Sequence, residues 1–387
     1  MELIRRWLLP SIIDILTLIL QTYLYRYLRE TAWVKKSAVR GWALRAVYYA
    51  LFAYMIFVVP LLVQPWHGLF NSVVLSWMLA GTMLWLMVVV SLGIWVALHR
   101  RLSAPERSID PGRRAFLRIA APVVAFAPTA VAAAGMERAH SRPALREVNV
   151  RIRGLHPDLN GIRIAQLTDI HYGPFLGSRE LEYAVAMANE TKPHVMVVTG
   201  DLITRYGDDL RGCLKILKAL RGEAGIWACH GNHEQYAQVE DEATRLGARQ
   251  GIHYLRGASE VVRFGQAKLN LSGIDYPHWG EEPLVGAENW LASDALNVLL
   301  SHTPAAFDRA AELGFDLTLS GHTHGGQVNI PLGGENLTFV RVYTPYIQGL
   351  YQKDGRQLYV SSGLGTVGVP LRIGADPEVT LIRLCGI

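Results

Sequence analysis

Five short apolar runs with Asp, Asn or His at their ends constrain the fold of this chain more than any other feature. The runs are rich in β-forming residues, and we expect helices between them, as at 178–191, 208–221 and 305–313. Near-continuous apolar strands alternating with helices predict a sheet covered on both faces, and polar ligands gather at the carboxyl ends of such strands. The runs are IRIAQLTDIH (162–171), HVMVVTGD (194–201), GIWACHGNHE (225–234), ALNVLLSHTP (295–304) and DLTLSGHTHGG (316–326).

The polar residues at these five strand ends indicate a centre for two metal ions. Carboxylate, imidazole and amide groups without thiolate suit Mn, Fe or Zn better than a structural zinc–cysteine site. Seven candidates exceed what one ion needs, so we expect two divalent ions about 3.5–4 Å apart with a bridging carboxylate. Such a pair lowers the pKa of a shared water and neutralises phosphate oxygens during in-line displacement. The candidate ligands are Asp169, His171, Asp201, Asn232, His302, His322 and His324.

The order of these motifs resembles that of a known family. H-x-H or G-N-H alone is ambiguous, but D-x-H, G-D, G-N-H-E, a later His and G-H-T-H in sequence resemble the calcineurin-like metallophosphoesterases. The likeness covers roughly residues 148–387, and the tail GLGTVGVPLRIGADPEVTLIRL is similar to that of the membrane-tethered or twin-arginine-exported branch. The resemblance implies an α/β (α+β) fold, a four-layer β-sandwich flanked by helices.

The resemblance also implies a role for each candidate residue. One ion is held by Asp169, His171 and His324, the other by Asn232, His302 and His322, and Asp201 bridges them. His233 is similar to the family's histidine that binds no metal and protonates or stabilises the leaving oxygen. Imidazole suits acid–base work near neutral pH, although a simple hydrogen-bonding role beside the centre is the alternative.

One departure from the wider family bears on the substrate. Protein serine/threonine phosphatases carry G-D-x-V-D-R-G, whereas this chain has GDLITRYG and lacks the Asp-Arg pair. Arg205 follows at a nearby spacing and is a candidate phosphate contact, with an ordinary surface arginine as the alternative. We therefore expect a phosphodiester or a pyrophosphate substrate, and not a phosphoprotein.

Two uncharged apolar runs near the N-terminus predict membrane-spanning helices. Residues 46–63 and 72–98 carry no charge, and 18 helical residues span about 27 Å, close to the hydrocarbon thickness of a bilayer. Residues 7–25, which include Asp14, and 119–136, which two prolines interrupt, are weaker candidates. The expected division is a helical transmembrane region of three to four spans at 1–136, a linker at 137–149 and a calcineurin-like metallophosphoesterase domain at 150–387.

Basic residues predict which side of the membrane the second domain occupies. Six Lys/Arg lie from Arg26 to Arg45, six from Arg100 to Arg118, and none at 64–71. The positive-inside rule makes both basic segments cytoplasmic and the 64–71 loop external, so a crossing at 119–136 places the domain outside the cytoplasm of a bacterial-type inner or plasma membrane.

A second pattern bears on the same question. PGRRAFLRIAAPVVAF, from Pro111, resembles a twin-arginine export signal, with an ordinary basic membrane flank as the alternative. Gly112 stands where Ser or Thr is usual. AVAAAG after it resembles a cleavage site, so the sequence leaves open whether this run is retained.

Charge and cysteine content exclude other classes. Residues 1–146 hold 17 Lys/Arg and 6 Asp/Glu, and residues 147–387 hold 21 and 27, so the basic excess lies between apolar runs and predicts topology, not nucleic-acid binding. Three scattered cysteines give neither a disulfide framework nor a C-x-x-C metal pair.

The predicted function is a membrane-anchored phosphoesterase that uses two divalent ions to activate water against a phosphodiester or pyrophosphate, with lipid-linked esters among the candidates. UDP-2,3-diacylglucosamine pyrophosphatase is an alternative from the resemblance, but that substrate is cytoplasmic. A membrane receptor with an inactive phosphoesterase fold is the alternative of another class. The presence of every ligand type and of His233 argues against it, and the uncharged spans argue against an ion pathway.

Overall fold

A computed structural model describes residues 2–63, 72–103, 111–277, 282–332 and 335–387 of the chain. The chain divides into two compact units, Met1–Met136 and Glu137–Ile387. The predicted external loop at 64–71 lies outside the described residues.

The first unit is helical. Each apolar run from the sequence falls within one helix, and polar pairs join the helices: Trp85 Nε1 donates to Gln21 Oε1 at 3.2 Å, and the hydroxyls of Ser91 and Thr129 lie 2.7 Å apart. Leu24 packs with apolar side chains of the fourth helix. The helices are α1 (Glu2–Arg29), α2 (Ala32–Lys35), α3 (Ala38–Val63), α4 (Ser72–Ser103) and α5 (Pro111–Ala139).

One of these helices has the length and composition of a membrane span. Among the described residues, only Ile119–Ala139 is both long and apolar enough to cross a bilayer, and Leu84–Leu98 is apolar but shorter. The spans predicted at 46–63 and 72–98 rest partly on residues whose side chains are not described, so they stay predictions.

The second unit contains all the strands of the described residues. Its further helices are α6 (Ser178–Glu190), α7 (Leu210–Leu217), α8 (Asn232–Ala237), α9 (Glu240–Arg249) and α10 (Phe307–Leu313). Its strands are β1 (Ala144–Ile152), β2 (Arg163–Leu167), β3 (Val195–Thr199), β4 (Ile226–Cys229), β5 (Ile252–Tyr254), β6 (Ala258–Phe264), β7 (Ala267–Gly273), β8 (Leu296–Leu300), β9 (Leu317–Ser320), β10 (Ile330–Leu332), β11 (Glu335–Leu337), β12 (Gly349–Lys353), β13 (Arg356–Val360) and β14 (Glu378–Gly386).

The strands form two mixed six-stranded sheets and one hairpin. The first sheet has the order β1-β14-β2-β3-β4-β5, the second β12-β13-β9-β8-β7-β6, and β10 pairs with β11. Strands β2 to β5 are parallel to one another, as are β7, β8, β9 and β13. The carboxyl ends of the central strands of each sheet therefore lie together, as the apolar runs predicted.

The two sheets pack face to face, and helices cover their outer faces. Apolar side chains of both sheets, such as Ile164, Val197, Leu271 and Val298, form the core between them. Helices α6, α7 and α9 bury the other face of the first sheet, and α10 packs on the second. The observed helix–sheet–sheet–helix arrangement is the predicted four-layer fold.

The predicted linker at 137–149 is too long. Helix α5 continues to Ala139, and β1 begins at Ala144 and pairs in parallel with β14. As an edge strand, β1 fully buries only Val150 and Ile152, so its alternating polar residues resembled a linker in the sequence. Four residues, 140–143, separate the helix from the first strand.

Candidate metal centre

The seven predicted ligands leave the ends of five neighbouring strands. Asp169 and His171 follow β2, Asp201 follows β3, and Asn232 follows β4 in the first sheet. His302 follows β8, and the pair His322 and His324 follows β9, in the second sheet. Because these strands are parallel within each sheet, their carboxyl ends deliver all seven side chains to one edge of the sandwich.

Five of these residues hold a left-handed backbone. Their φ angles are 49° for Asp169, 48° for His171, 56° for Asp201, 72° for His322 and 51° for His324. Such angles cost about 1–3 kcal/mol each for residues other than glycine and persist only where surrounding bonds impose them. Here the amide of Asp169 donates to the Gly200 carbonyl at 3.1 Å, and that of His171 to the Asp201 carbonyl at 3.0 Å.

The side chains converge in overlapping groups. The possible ligand atoms of Asp169, His171 and His324 lie within 4.8 Å of one another, as do those of Asp201, His302 and His322. In the first group, Nε2 of His324 lies 3.3 Å from Oδ1 of Asp169 and 3.2 Å from Nε2 of His171. In the second, Nε2 of His302 lies 3.0 Å from Oδ2 of Asp201.

One carboxylate connects the two groups. The same Oδ2 of Asp201 that approaches His302 lies 3.5 Å from Nε2 of His171. Its other oxygen, Oδ1, accepts a hydrogen bond from the His233 amide at 2.9 Å, which fixes the carboxylate plane. Asp201 therefore lies between the groups, where a bridging ligand belongs.

Hydrogen bonds at the outer ring nitrogens turn the inner nitrogens toward the centre. Nδ1 of His302 bonds the Thr199 carbonyl at 2.7 Å, and Nδ1 of His324 bonds that of Gly365 at 3.1 Å. Nδ1 of His171 lies 3.2 Å from the Thr204 hydroxyl. This support at the far side of the ring is typical of metal-binding histidines.

Two buried atoms in the centre lack hydrogen-bond partners among the described residues. They are Oδ1 of Asn232 and Nε2 of His302, which lies 3.0 Å from Oδ2 of Asp201 as a charge contact. A buried polar atom left unsatisfied costs about 1–3 kcal/mol. A cation bound by these lone pairs would remove that cost, and with this donor set the residues fit two divalent metal ions.

The protonation equilibria favour a bound cation. Burial lowers the pKa of both His171 and His322 to about 3, and that of His324 well below its usual value, so these rings keep free lone pairs at neutral pH. Burial opposes charge on His302 as well, but Asp201 and Asp169 outweigh it and raise its pKa to about 10. The two buried carboxylates thus demand positive charge, which a metal ion supplies better than a proton.

His233 lies at the rim of the centre. Its Nδ1 bonds the Thr204 carbonyl at 2.5 Å, and its Nε2 lies 4.0 Å from Oδ2 of Asp201. The ring is only partly buried and makes an edge contact with Tyr236. Its ligand atom also groups with those of His171 and Asp201, so the distances alone admit it as a ligand.

Arg205 lies in the loop after Thr204 and is partly buried. Its amide and that of Thr204 both donate to Oδ2 of Asp208 at 3.0 Å, which closes this loop. The loop thus reaches the centre through Thr204, and a role of the Arg205 guanidinium with substrate stays a prediction.

Glu234, a residue that was not predicted from the sequence, binds the loop that carries Asp201. Its buried carboxylate accepts from the amides of Asp201 at 2.9 Å, Leu202 at 2.6 Å and Gly231 at 2.8 Å. Burial raises its pKa, the charge of Asp201 adds to the effect, and the three amides partly offset it. A signal was present, because a Glu three residues after the first residue of a helix start often accepts from that residue's amide, as Glu234 does from Gly231.

The C-terminal tail also contacts the loops that carry the candidate ligands. Arg372 is fully buried and donates to the carbonyls of Ser362, Gly363, Gly365 and Ala375. Gly363, at φ 67°, leaves so little room that a Cβ there would lie 2.4 Å from Cβ of Asp169. The tail therefore fixes both the Asp169 loop and the carbonyl that orients His324.

Comparison with known proteins agrees with this geometry. Residues 162–326 match the family model described as calcineurin-like phosphoesterase. The chain is 31% identical over 296 residues to a Bos taurus protein named transmembrane protein with metallophosphoesterase domain, covering 72% of this chain and 64% of that one. A Danio rerio protein of the same name is 33% identical over 277 residues, covering 68% and 62%.

A bacterial relative is matched over more of its length. The Bacillus subtilis protein named uncharacterized metallophosphoesterase YkuE is 29% identical over 230 residues, covering 58% of this chain and 79% of that one. The chain thus spans less than two-thirds of the Bos taurus and Danio rerio relatives, whereas the family match at residues 162–326 includes the centre described above. The part of the chain that carries this centre, residues 162–326, is therefore similar to the calcineurin-like phosphoesterase family.

Proposed function

We propose that the chain is a membrane-anchored phosphoesterase that hydrolyses a phosphodiester or a pyrophosphate with two divalent metal ions. The observation that carries this proposal is the pair of buried ligand groups joined through Asp201. Their positions at the carboxyl ends of parallel strands are where α/β sheets hold their ligands.

The ligands divide between the ions as the two groups suggest. We assign Asp169, His171 and His324 to one ion, Asn232, His302 and His322 to the other, and Asp201 to both. The unsatisfied Oδ1 of Asn232 supports its inclusion. Two such ions, of manganese, iron or zinc, would supply Lewis acidity toward phosphoryl oxygens and lower the pKa of a water between them.

His233 is proposed to protonate or stabilise the leaving oxygen. Because its Nδ1 is held by the Thr204 carbonyl, its Nε2 faces the centre from the solvent side. Partial exposure allows the ring to exchange protons with solvent, which the buried ligands cannot do. Its position at the rim, outside the two main groups, supports a catalytic role over metal binding.

The substrate class follows from what surrounds Asp201. The next residues are Leu202, Ile203 and Thr204, so the loop lacks the Asp-Arg pair of protein phosphatases. Leu202 and Ile203 are buried, and Thr204 holds two histidines of the centre. This loop supports the metal centre and leaves only Arg205 as a phosphate contact, which favours a diester or pyrophosphate over a phosphoprotein.

The membrane anchor is proposed to be Ile119–Ala139, with the predicted spans at 46–63 and 72–98 as further crossings. The names of the Bos taurus and Danio rerio relatives support an anchored chain. The basic segments on either side of the two uncharged runs favour an extracytoplasmic domain. A reporter fused after Ile387 should be active only outside the cytoplasm, and activity inside would reverse this topology.

The full chain, purified in detergent, should hydrolyse bis-p-nitrophenyl phosphate in the presence of Mn²⁺, Fe²⁺ or Zn²⁺. A chelator should abolish turnover, and the same ion should restore it. A parallel screen of monoesters, diesters and lipid-linked pyrophosphates then identifies the substrate class. Protein that binds two ions per chain but turns over none of these compounds would favour the inactive receptor over the enzyme.

A further inference from the structure

A cluster of large apolar side chains is exposed to solvent just after the last metal ligand. We define this apolar rim as Leu337, Phe339, Val342 and Tyr343, whose exposed fractions are 61%, 69%, 75% and 74%. The rings of Phe339 and Tyr343 contact each other edge-on at 5.6 Å. Contiguous exposed apolar side chains in a folded domain mark a surface that contacts a partner or a membrane.

The apolar rim is fixed to the loop that carries His324. The Thr338 hydroxyl, between two members of the rim, donates to the Gly326 carbonyl at 3.2 Å. A Cβ on Gly326 would lie 2.5 Å from that same hydroxyl oxygen, so the two segments are in tight contact. Gly326 lies two residues after His324, and the rim is therefore held close beside the metal centre.

The residue that precedes β10 and the end of α5 both contact one short loop of the C-terminal tail, residues 373–376. The amide of Asn329, just before β10, donates to the Ile373 carbonyl at 2.8 Å. Three residues on, Asp376 forms a two-pronged ion pair with Arg138, at 2.5 and 2.9 Å. Arg138 is the next-to-last residue of the candidate span, so the end of that span lies beside this loop.

We propose that the apolar rim inserts into the surface of the lipid bilayer to which the chain is anchored, so that the metal centre acts on phosphoesters at that surface. This rests on the proposed anchor at Ile119–Ala139. Only four residues separate the end of that helix from β1, so β1 begins within about 18 Å of the span's end. Phe, Tyr and aliphatic side chains are the types that bury at the headgroup boundary.

Fluorescence quenching tests the contact directly in the full chain. Val342→Cys, in a Cys385→Ser background, is labelled with a polarity-sensitive dye and reconstituted into phosphatidylcholine vesicles; the other two cysteines are buried and should not react. Val261→Cys, an exposed position on the edge strand β6, is the matched control. We expect nitroxide-labelled lipid to quench the dye at 342 and not at 261. Equal quenching at both positions would overturn the proposal. So would a dye at 342 that reports an apolar environment but is not quenched by the labelled lipid, because a second copy or another protein would then cover the rim.

Activity on two chromogenic diesters separates docking from catalysis. The double variant Phe339→Asp, Val342→Asp should hydrolyse hexadecyl p-nitrophenyl phosphate in phosphatidylcholine vesicles at least about tenfold more slowly than wild type, while soluble bis-p-nitrophenyl phosphate is hydrolysed at the wild-type rate. Val261→Asp should change neither rate. Equal rates on the vesicle substrate would refute the docking. If wild type hydrolyses neither compound, the proposed chemistry fails, and the quenching result alone still decides whether the rim contacts lipid.

Discussion

Replacing Glu234 tests how much of the metal centre depends on one buried carboxylate that binds no metal in our assignment. Its two oxygens accept hydrogen bonds from three backbone amides. Those of Asp201 and Gly231 donate to Oε2, and that of Leu202 donates to Oε1. These bonds join the loop after β3 to the start of α8. They therefore determine the position of Asp201, the proposed bridge, relative to Asn232.

The expected loss follows from counting amides left without an acceptor. Glu234→Ala leaves three buried donors unsatisfied, at about 1–3 kcal/mol each, which is roughly 3–9 kcal/mol in all. Native domains are stable by only about 5–15 kcal/mol, so this variant should be close to unfolding. Glu234→Gln keeps one acceptor oxygen for two of the amides and should lose about 1–3 kcal/mol.

Thermal unfolding of the full chain in detergent, followed by circular dichroism, should give midpoints that fall in the order wild type, Glu234→Gln, Glu234→Ala. The matched control is Glu180→Ala, because Glu180 makes the same capping contact to Gly177 at the start of α6 but is exposed to solvent. This control substitution should lower the free energy of unfolding by about 1 kcal/mol or less. Metal content, measured by mass spectrometry, should fall with the midpoint only for the Glu234 variants. Wild-type midpoint and metal content in Glu234→Ala would refute this reasoning.

Three further substitutions separate the roles assigned here. Asp201→Asn should lower turnover on the order of 10³-fold and reduce bound metal from two ions to about one, since the bridge contributes to both sites; unchanged metal content and activity would exclude bridging. His233→Gln should keep both ions but slow turnover by about 10²–10⁴-fold for alkyl leaving groups, with a much smaller loss for p-nitrophenolate, which needs no proton; equal losses on both would exclude proton donation. Arg372→Met should lower the free energy of unfolding by roughly 3 kcal/mol or more, because the carbonyls around it lose a charged donor at about 1.5–3 kcal/mol per bond. A wild-type midpoint in that variant would show that the tail is held by other contacts.

The convergence of the seven candidate ligands was predictable from sequence because it depends on strand direction alone. Once five apolar runs are strands of parallel sheets, the residue after each run lies at the same edge, whatever the loops do. Glu234 was not singled out, because its role depends on which amides the folded loops bring to it. The strand β1 was missed for a related reason. Its partner β14 lies more than 200 residues further along the chain, and an edge strand shows little apolar periodicity.

The left-handed backbone at five of the proposed ligands bears on whether this chain is an enzyme or a receptor that has lost its chemistry. Asp169, His171, Asp201, His322 and His324 occupy angles that glycine would adopt without strain. In a receptor that binds no metal, these angles would cost stability without serving any function, whereas in a metal enzyme they would aim the ligands at the ions.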